Sequence, residues 1–199
     1  MMSGLLRRPF TRVLATRGVH TEARIAKLGY TLPTLPQPVG AYTLAVKQGG
    51  WVYCAGHLPF KGEGVSHARR LNLSLALTAT FMPSHNYTEN MKDLHIGRLG
   101  VEFTAEQGSE LAKITGLELI ASLKGAVGDL DKVKRIVKVN GYIACPDTFT
   151  ALPAVLNGCS NLIGEVFEDR GVHARAAVGV TSLPLGVPVE IDLVAEVED

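Results

Sequence analysis

The stretch from Thr104 to Ala144 constrains this chain more than any other, because a long helix and a long strand follow one another across a turn of a few residues. Thr104 and Gln107 stand at capping-box spacing, each side chain able to satisfy a backbone donor of the other. Ala112, Gly116, Leu119, Ile120, Leu123 and Val127 then recur at helical spacing until Gly128, the residue type that most often closes a helix. Asp129-Leu130-Asp131 turns the chain into Val133–Ala144, a run rich in β-branched residues. Val137, Val139 and Ile143 alternate there with Lys138, Asn140 and Tyr142, which predicts one covered face and one wetter face. A helix followed directly by such a strand implies a helix laid over a sheet.

The remaining segments extend that pattern. Residues 22–29 read as a short helix ending at Gly29, and Pro33, Pro36 and Pro38 enforce an extended lead-in. Tyr42–Lys47 and Trp51–Gly56 read as two strands around a Gly49-Gly50 turn. A second helix is predicted over Phe149–Phe167, with Pro153 in its first part. Strands Arg175–Thr181 and Val187–Val197 flank the turn Leu183-Pro184-Leu185-Gly186, a hairpin that would set them side by side. The order ββ, αβ, αββ predicts an α/β (α+β) domain, with helices on one face of a single mixed sheet. The other face must also be covered, and in a domain this small the usual solution is oligomerisation.

Composition narrows the function classes. The chain has 199 residues, 46% hydrophobic and 20% charged, with a net charge of +1. That is enough for one well-cored domain, and it is not the composition of a disordered chain. The near-zero charge predicts no nucleic-acid partner, since counterion release needs a basic face. No apolar run is long enough to cross a bilayer, so no membrane partner is predicted. Cys54, Cys145 and Cys159 lack C-x-x-C spacing and read as buried hydrophobes, with Cys54 alone close enough to a strand end to approach a site. His20, His57, His67, His85, His95 and His173 show no metal-ligand spacing and read as incidental; no metal and no cofactor are predicted.

The first twenty residues differ from the rest. Arg7, Arg8, Arg12 and Arg17 precede the first acid, Glu22, while Leu5, Leu6, Phe10, Val13 and Leu14 form an apolar face. An acid-free, Arg-rich amphipathic start predicts a mitochondrial transit peptide over residues 1–20 and a matrix location. The alternatives are a plastid leader, or a basic tail on a cytoplasmic protein.

The stretch HARAAVGVTSLPLGVPVEIDLVAEV carries the chemistry. Arg175 opens a strand among small apolar neighbours, where a guanidinium offers a rigid fork suited to a carboxylate. Fifteen residues later Glu190 stands between Val189 and Ile191. An acid in an apolar strand is a candidate acid/base with a raised pKa. From the residues alone, a structural Arg–Glu pair and a functional site both stand.

Arg175, Pro184 and Val189-Glu190-Ile191 together resemble the C-terminal signature of the RidA (YjgF, endoribonuclease L-PSP) family. PVGAYTLAVKQGGWVYCAGHLP resembles its N-terminal hairpin. The segments LNG, HARAAVGV and SLPLG-PVE are most similar to the family's YjgF-like, chorismate-mutase-like branch. The resemblance covers residues 22–199 apart from one insertion. It implies a bacillus-type chorismate-mutase-like domain: a six-stranded mixed sheet, two helices on one face, and a homotrimer with pockets between subunits. It further implies that Arg175 grips a substrate carboxylate and Glu190 moves a proton, with Tyr42, Gly56, Asn157 and the backbone at Ala177 lining the pocket. The founding group has Cys where this chain has Ala177, which removes a thiol and leaves the substrate open.

The implied reaction is hydrolysis of reactive enamines or 2-imino acids, as in a 2-iminobutanoate/2-iminopropanoate deaminase, giving 2-oxo acids and ammonia. A small-molecule carboxylate is the implied partner. The alternative is a trimer of the same fold that binds a small carboxylate without turning it over. The ribonuclease of the family's older name fits poorly, because the chain offers no basic patch with interleaved aromatics.

Residues 65–92 form the insertion. Deleting them joins Gly62-Glu63-Gly64 to Asp93-Leu94-His95-Ile96-Gly97-Arg98 and leaves a third strand intact. Leu71, Leu73, Leu75, Leu77, Phe81 and Met82 crowd this segment, unusual for a loop. Val65-Ser66 is also what a splice donor encodes when read through. A retained intron is therefore expected, with a genuine insertion, acting as an oligomer contact or a lid, as the alternative.

Overall fold

A computed structural model of the chain describes residues 20–35, 38, 40–61 and 94–199. Residues 1–19 of the expected leader and the whole 65–92 segment lie outside the described residues. The elements are α1 (Thr21–Lys27), β1 (Ala45–Gln48), β2 (Trp51–His57), α2 (Ala105–Val127), β3 (Val133–Ala144), α3 (Leu152–Phe167), β4 (Ala174–Val180) and β5 (Val189–Val197). Among the described residues the strands form one mixed sheet in the order β1-β2-β5-β3-β4.

Local chemistry fixes the element ends. The Thr104 hydroxyl accepts from the Gln107 amide at 3.3 Å and Gln107 Oε1 accepts from the Thr104 amide at 2.8 Å, the reciprocal cap that starts α2. Gly128 closes α2 at φ 78°, a conformation that costs glycine nothing sterically. Pro153 sits in the first turn of α3, where its missing N–H has no intrahelical partner to lose. That places the start of α3 at Leu152 rather than at the expected Phe149.

Two expectations need correction. The sheet has five strands among the described residues, not six, because Leu94–Arg98 contributes only an isolated bridge, Phe60 to Leu94. Its backbone groups serve as ties instead. The Gly97 amide donates to the Gly186 carbonyl at 2.9 Å and the Leu99 amide to the Ala144 carbonyl at 2.8 Å. The second correction concerns β4 and β5, which are not neighbours. β3 lies between them, parallel to β4 and antiparallel to β5. The turn at Pro184–Gly186, with Leu185 at φ 58° and Gly186 at φ 74°, carries the chain past the end of β3 instead of folding it back as a hairpin.

The core lies between the sheet and helices α2 and α3. Val52, Val139, Ile191 and Leu193 of the sheet's inner face are fully or almost fully buried, in one cluster with Leu119, Ile120, Val155 and Cys159 of the helices. The two helices approach backbone to backbone, since a methyl group built at Gly158 would fall 1.8 Å from the Ser109 carbonyl oxygen. α1 caps the assembly. Arg24 donates to the Val166 carbonyl at 2.8 Å, and Asp131 accepts from the Thr21 amide and hydroxyl. On the outer face Val46, Trp51, Tyr53 and Val178 are exposed, Tyr53 by 51%. No described helix is long and apolar enough to cross a membrane.

One feature of the core is costly. Thr115, Glu118 and Ser122 make a buried polar stripe along α2, at helical spacing. Glu118 is 3% exposed and its Oε2 has no hydrogen-bond partner among the described residues. Burial pushes its carboxyl up to about 7. The folded chain therefore holds this proton more tightly than the unfolded chain, so stability is lost as pH rises from the ordinary carboxylate range through about 7. Glu118→Gln removes that titration. The native chain is expected to lose on the order of 3 kcal/mol between about pH 5 and pH 8 that the variant keeps, as read by denaturant unfolding at the two pH values.

Candidate functional site

The predicted site residues fall into two groups separated by the sheet. The register pairs Arg175 with Val139, and Val139 with Leu193, so Arg175 points to the inner, helix-covered side. Glu190 pairs with Tyr142, three residues further along β3, and stands on the outer side. Within one chain Arg175 and Glu190 do not meet. Their separation follows from β3 lying between their strands and from the odd spacing of the β3 residues they pair with.

The inner group gathers at the free edge of the sheet. Arg175 Nη1 donates to Ser160 Oγ at 3.0 Å and Nη2 to the Pro153 carbonyl at 3.3 Å. Asn157 lies between those two contacts on the same stripe of α3, because positions 153, 157 and 160 share one helix face. Asn157 is exposed, as a pocket residue should be. Ala177, two residues on from Arg175, faces the same side and packs partly against the core. No carboxylate lies within ion-pair distance of Arg175 among the described residues.

The outer group surrounds Glu190. A methyl group built at Gly56 would lie 1.9 Å from a Glu190 carboxylate oxygen, so the side chain rests in space that only glycine leaves open. The register of β2 against β5 shifts between Cys54 and His57, a bulge that presents this part of the strand to Glu190. Burial raises the Glu190 carboxyl above the ordinary carboxylate range, and the charge of Asp192 raises it further. Asp192 accepts from Asn140 Nδ2 at 2.8 Å and from the Tyr142 hydroxyl at 3.0 Å. Burial, then the bond and charge of Asp192, hold Tyr142 above its usual value.

Sequence reasoning missed Asp192, Asn140 and Tyr142 as site neighbours. The signal was present, since Glu190 and Asp192 alternate with Ile191 and Leu193 just as Asn140 and Tyr142 alternate with Val139 and Ile143. Tyr42 is exposed, in the lead-in to β1, and its only backbone tie described is to Gly40. Cys54 is buried, and burial, then the charge of Asp192, push its thiol up to about 12, which disfavours the thiolate. Glu22, Asp129 and Asp131 bring three carboxylates within 4.8 Å of one another. Each already accepts a backbone amide of the α1 cap or the turn after α2, which accounts for the cluster structurally.

Three comparisons agree on kinship. A family model described as "YjgF/chorismate mutase-like, putative endoribonuclease" matches residues 76–197. Protein TCP17 of Trypanosoma cruzi is 32% identical over 178 residues, 89% of this chain and 94% of its own. A protein of unknown function from Agrobacterium tumefaciens, with a crystal structure, is 31% identical at a TM-score of 0.68, covering 89% of this chain and 94% of that one. A Shewanella oneidensis structure given the same endoribonuclease description is 25% identical at a TM-score of 0.71, covering 89% of this chain and 99% of that one.

The Gly56–Glu190 contact is open to a direct test. The obstructing atoms belong to the far end of a flexible side chain, so Gly56→Ala should evict the carboxylate rather than break the fold. The Glu190 titration, followed by carboxyl carbon NMR, is expected to fall toward the ordinary range, with thermal stability changed by no more than about 1 kcal/mol. An unaltered titration would mean that Gly56 does not shape the site.

Proposed function

The chain belongs to the YjgF/chorismate mutase-like family, and from that membership we propose that it hydrolyses reactive 2-imino acids to 2-oxo acids and ammonia. The site is completed between two copies of a homotrimer, with Arg175 from one and Glu190 from its neighbour. One observation carries the reading: a half-buried carboxyl with a raised pKa stands on a sheet face that none of the described residues covers, backed by a glycine that makes room for it. The exposed Val46, Trp51, Tyr53 and Val178 on the same face supply the apolar surface through which copies would associate.

The chemistry follows from the two groups. Arg175, held by neutral oxygens, keeps its charge for the substrate carboxylate and turns an encounter into an oriented complex. Glu190 gives its proton to the imine nitrogen, then as carboxylate takes a proton from the water that attacks the C=N carbon. The resulting carbinolamine loses ammonia as Glu190 passes that proton to the departing amine and takes up the hydroxyl proton as the carbonyl forms, which returns Glu190 to its starting protonated state. The balance is imine plus water to 2-oxo acid plus ammonia, with water as the only co-reactant. The backbone amide beside Ala177 would stabilise the charge that develops next to Arg175.

The test is ammonia release from freshly generated 2-iminobutanoate and 2-iminopropanoate. Glu190→Gln is expected to lower kcat by about a hundredfold or more, and Arg175→Ala to act mainly by raising KM. Because the two groups come from different copies, mixing and reassembling the two impaired variants at low substrate should restore part of the activity that each lacks alone. A monomer in sedimentation, or no ammonia above the buffer rate, would sink the proposal. Binding of 2-oxobutanoate without turnover would point to the carboxylate-binding trimer instead.

A further inference from the structure

We propose that His173 and Ser160 form a positioning relay that fixes the Arg175 guanidinium for an anionic substrate. The inference rests on the reading of Arg175 as a carboxylate anchor.

His173 sits immediately before β4, and Ser160 lies in the third turn of α3. His173 Nδ1 is 2.6 Å from the Gly171 carbonyl oxygen. A carbonyl only accepts, so Nδ1 carries the proton, and in the neutral ring Nε2 is left as an acceptor. Ser160 Oγ, 3.1 Å from Nε2, must therefore donate its hydroxyl hydrogen to the ring. That turns the lone pairs of Ser160 toward Arg175 Nη1, 3.0 Å away, and a guanidinium can only donate. The direction of every bond in the chain is set by one backbone carbonyl.

The charge balance separates this arrangement from ordinary structural packing. A buried or half-buried Arg is usually held by a carboxylate. Here the partners are a hydroxyl and the Pro153 carbonyl, both uncharged. Among the described residues the guanidinium is thus held still without being neutralised, and three of its five N–H groups are left for a ligand. Long side chains lose rotamer freedom when they clamp a substrate. The relay takes that loss before the substrate arrives. The histidine that the sequence left as incidental thereby acquires a role through Ser160, not by touching substrate.

The experiment uses the full chain and 2-oxobutanoate as the probe, with its uncharged amide as the control ligand, both measured by titration calorimetry beside imine turnover. Ser160→Ala is expected to weaken 2-oxobutanoate binding about tenfold and to raise KM with kcat within about twofold, the loss of one hydrogen bond to a charged group. Binding of the amide should not change, whereas a general distortion of the pocket would weaken both ligands. Ser160→Thr, which keeps the hydroxyl, should restore the carboxylate affinity, and His173→Ala should weaken it about threefold by freeing that hydroxyl to turn. In an Arg175→Ala background, Ser160→Ala should have no further effect. If Arg175→Ala weakens 2-oxobutanoate binding but Ser160→Ala and His173→Ala do not, the relay is refuted and the anchor stands. If Arg175→Ala itself leaves binding and KM unchanged, the anchor and the relay fall together.

Discussion

The double pairing of β3 is the constraint on which the rest of the molecule depends. Its twelve residues, Val133–Ala144, hydrogen-bond to β5 on one edge and to β4 on the other. An antiparallel neighbour can be reached by a turn, but a parallel one needs a crossover of a dozen or more residues. α3 is that crossover, and it must lie on the same side as α2 because the inner faces of β3 and β5 are the apolar ones. The layer of helices, the backbone contact at Gly158, and an outer face that no described element covers all follow from where β3 sits. So does the separation of Arg175 from Glu190.

That separation gives each half of the site its own physical setting. At the β4 edge a cation is held by neutral oxygens from α3, with no described carboxylate to compensate its charge. On the outer face a carboxyl is held above its ordinary range by burial and by Asp192, which is itself engaged by Asn140 and Tyr142. Opposite charges in one chain would meet across the sheet only by breaking the register, so neither can neutralise the other. An edge strand and an open sheet face are also the two surfaces a β protein most needs to cover. The same topology that parts the two groups therefore leaves both on the surfaces that a second copy would use.

Most of the fold was legible because it is written in local signals. The Thr104–Gln107 box and Gly128 gave the ends of α2 to the residue, and the β-branched run from Val133 to Ala144 gave the span of β3, though register shifts near its start put Ile136 in the core and leave Val137 half-buried. The failures were non-local. β4 and β5 are consecutive in sequence and separated by a proline–glycine turn, so pairing them was the simplest assumption; nothing local records that β3 prefers to lie between them. A sixth strand was expected at Leu94–Arg98, where Gly97 and Gly100 adopt positive φ and divert the backbone into ties. The site residues were recognisable singly, by an Arg among alanines and a Glu among valines and isoleucines. Their grouping was not, because it depends on the parity of a register that only the whole sheet defines.

The two halves of the site share one supporting arrangement, which also went unread in the sequence. His57 Nδ1 contacts the Ala55 carbonyl at 2.7 Å and its Nε2 meets the Ser122 hydroxyl of α2. His173 repeats the pattern with Gly171 and Ser160 of α3. In both cases the ring binds a carbonyl two residues back and turns an acceptor nitrogen to a helix serine. Burial lowers the His57 pKa, which favours the neutral ring that this geometry requires. Under Gly56 the pair ties the bulge of β2 to α2; beside β4 its output is the guanidinium. An imidazole has no helical or strand periodicity of its own to betray such a role. Its partner lies 65 residues away in one case and 13 in the other, so only the packing of helix on sheet reveals it. A polar group placed by the core of the domain, not by a loop, is held to the close tolerance that the proposed proton transfer and carboxylate recognition would demand.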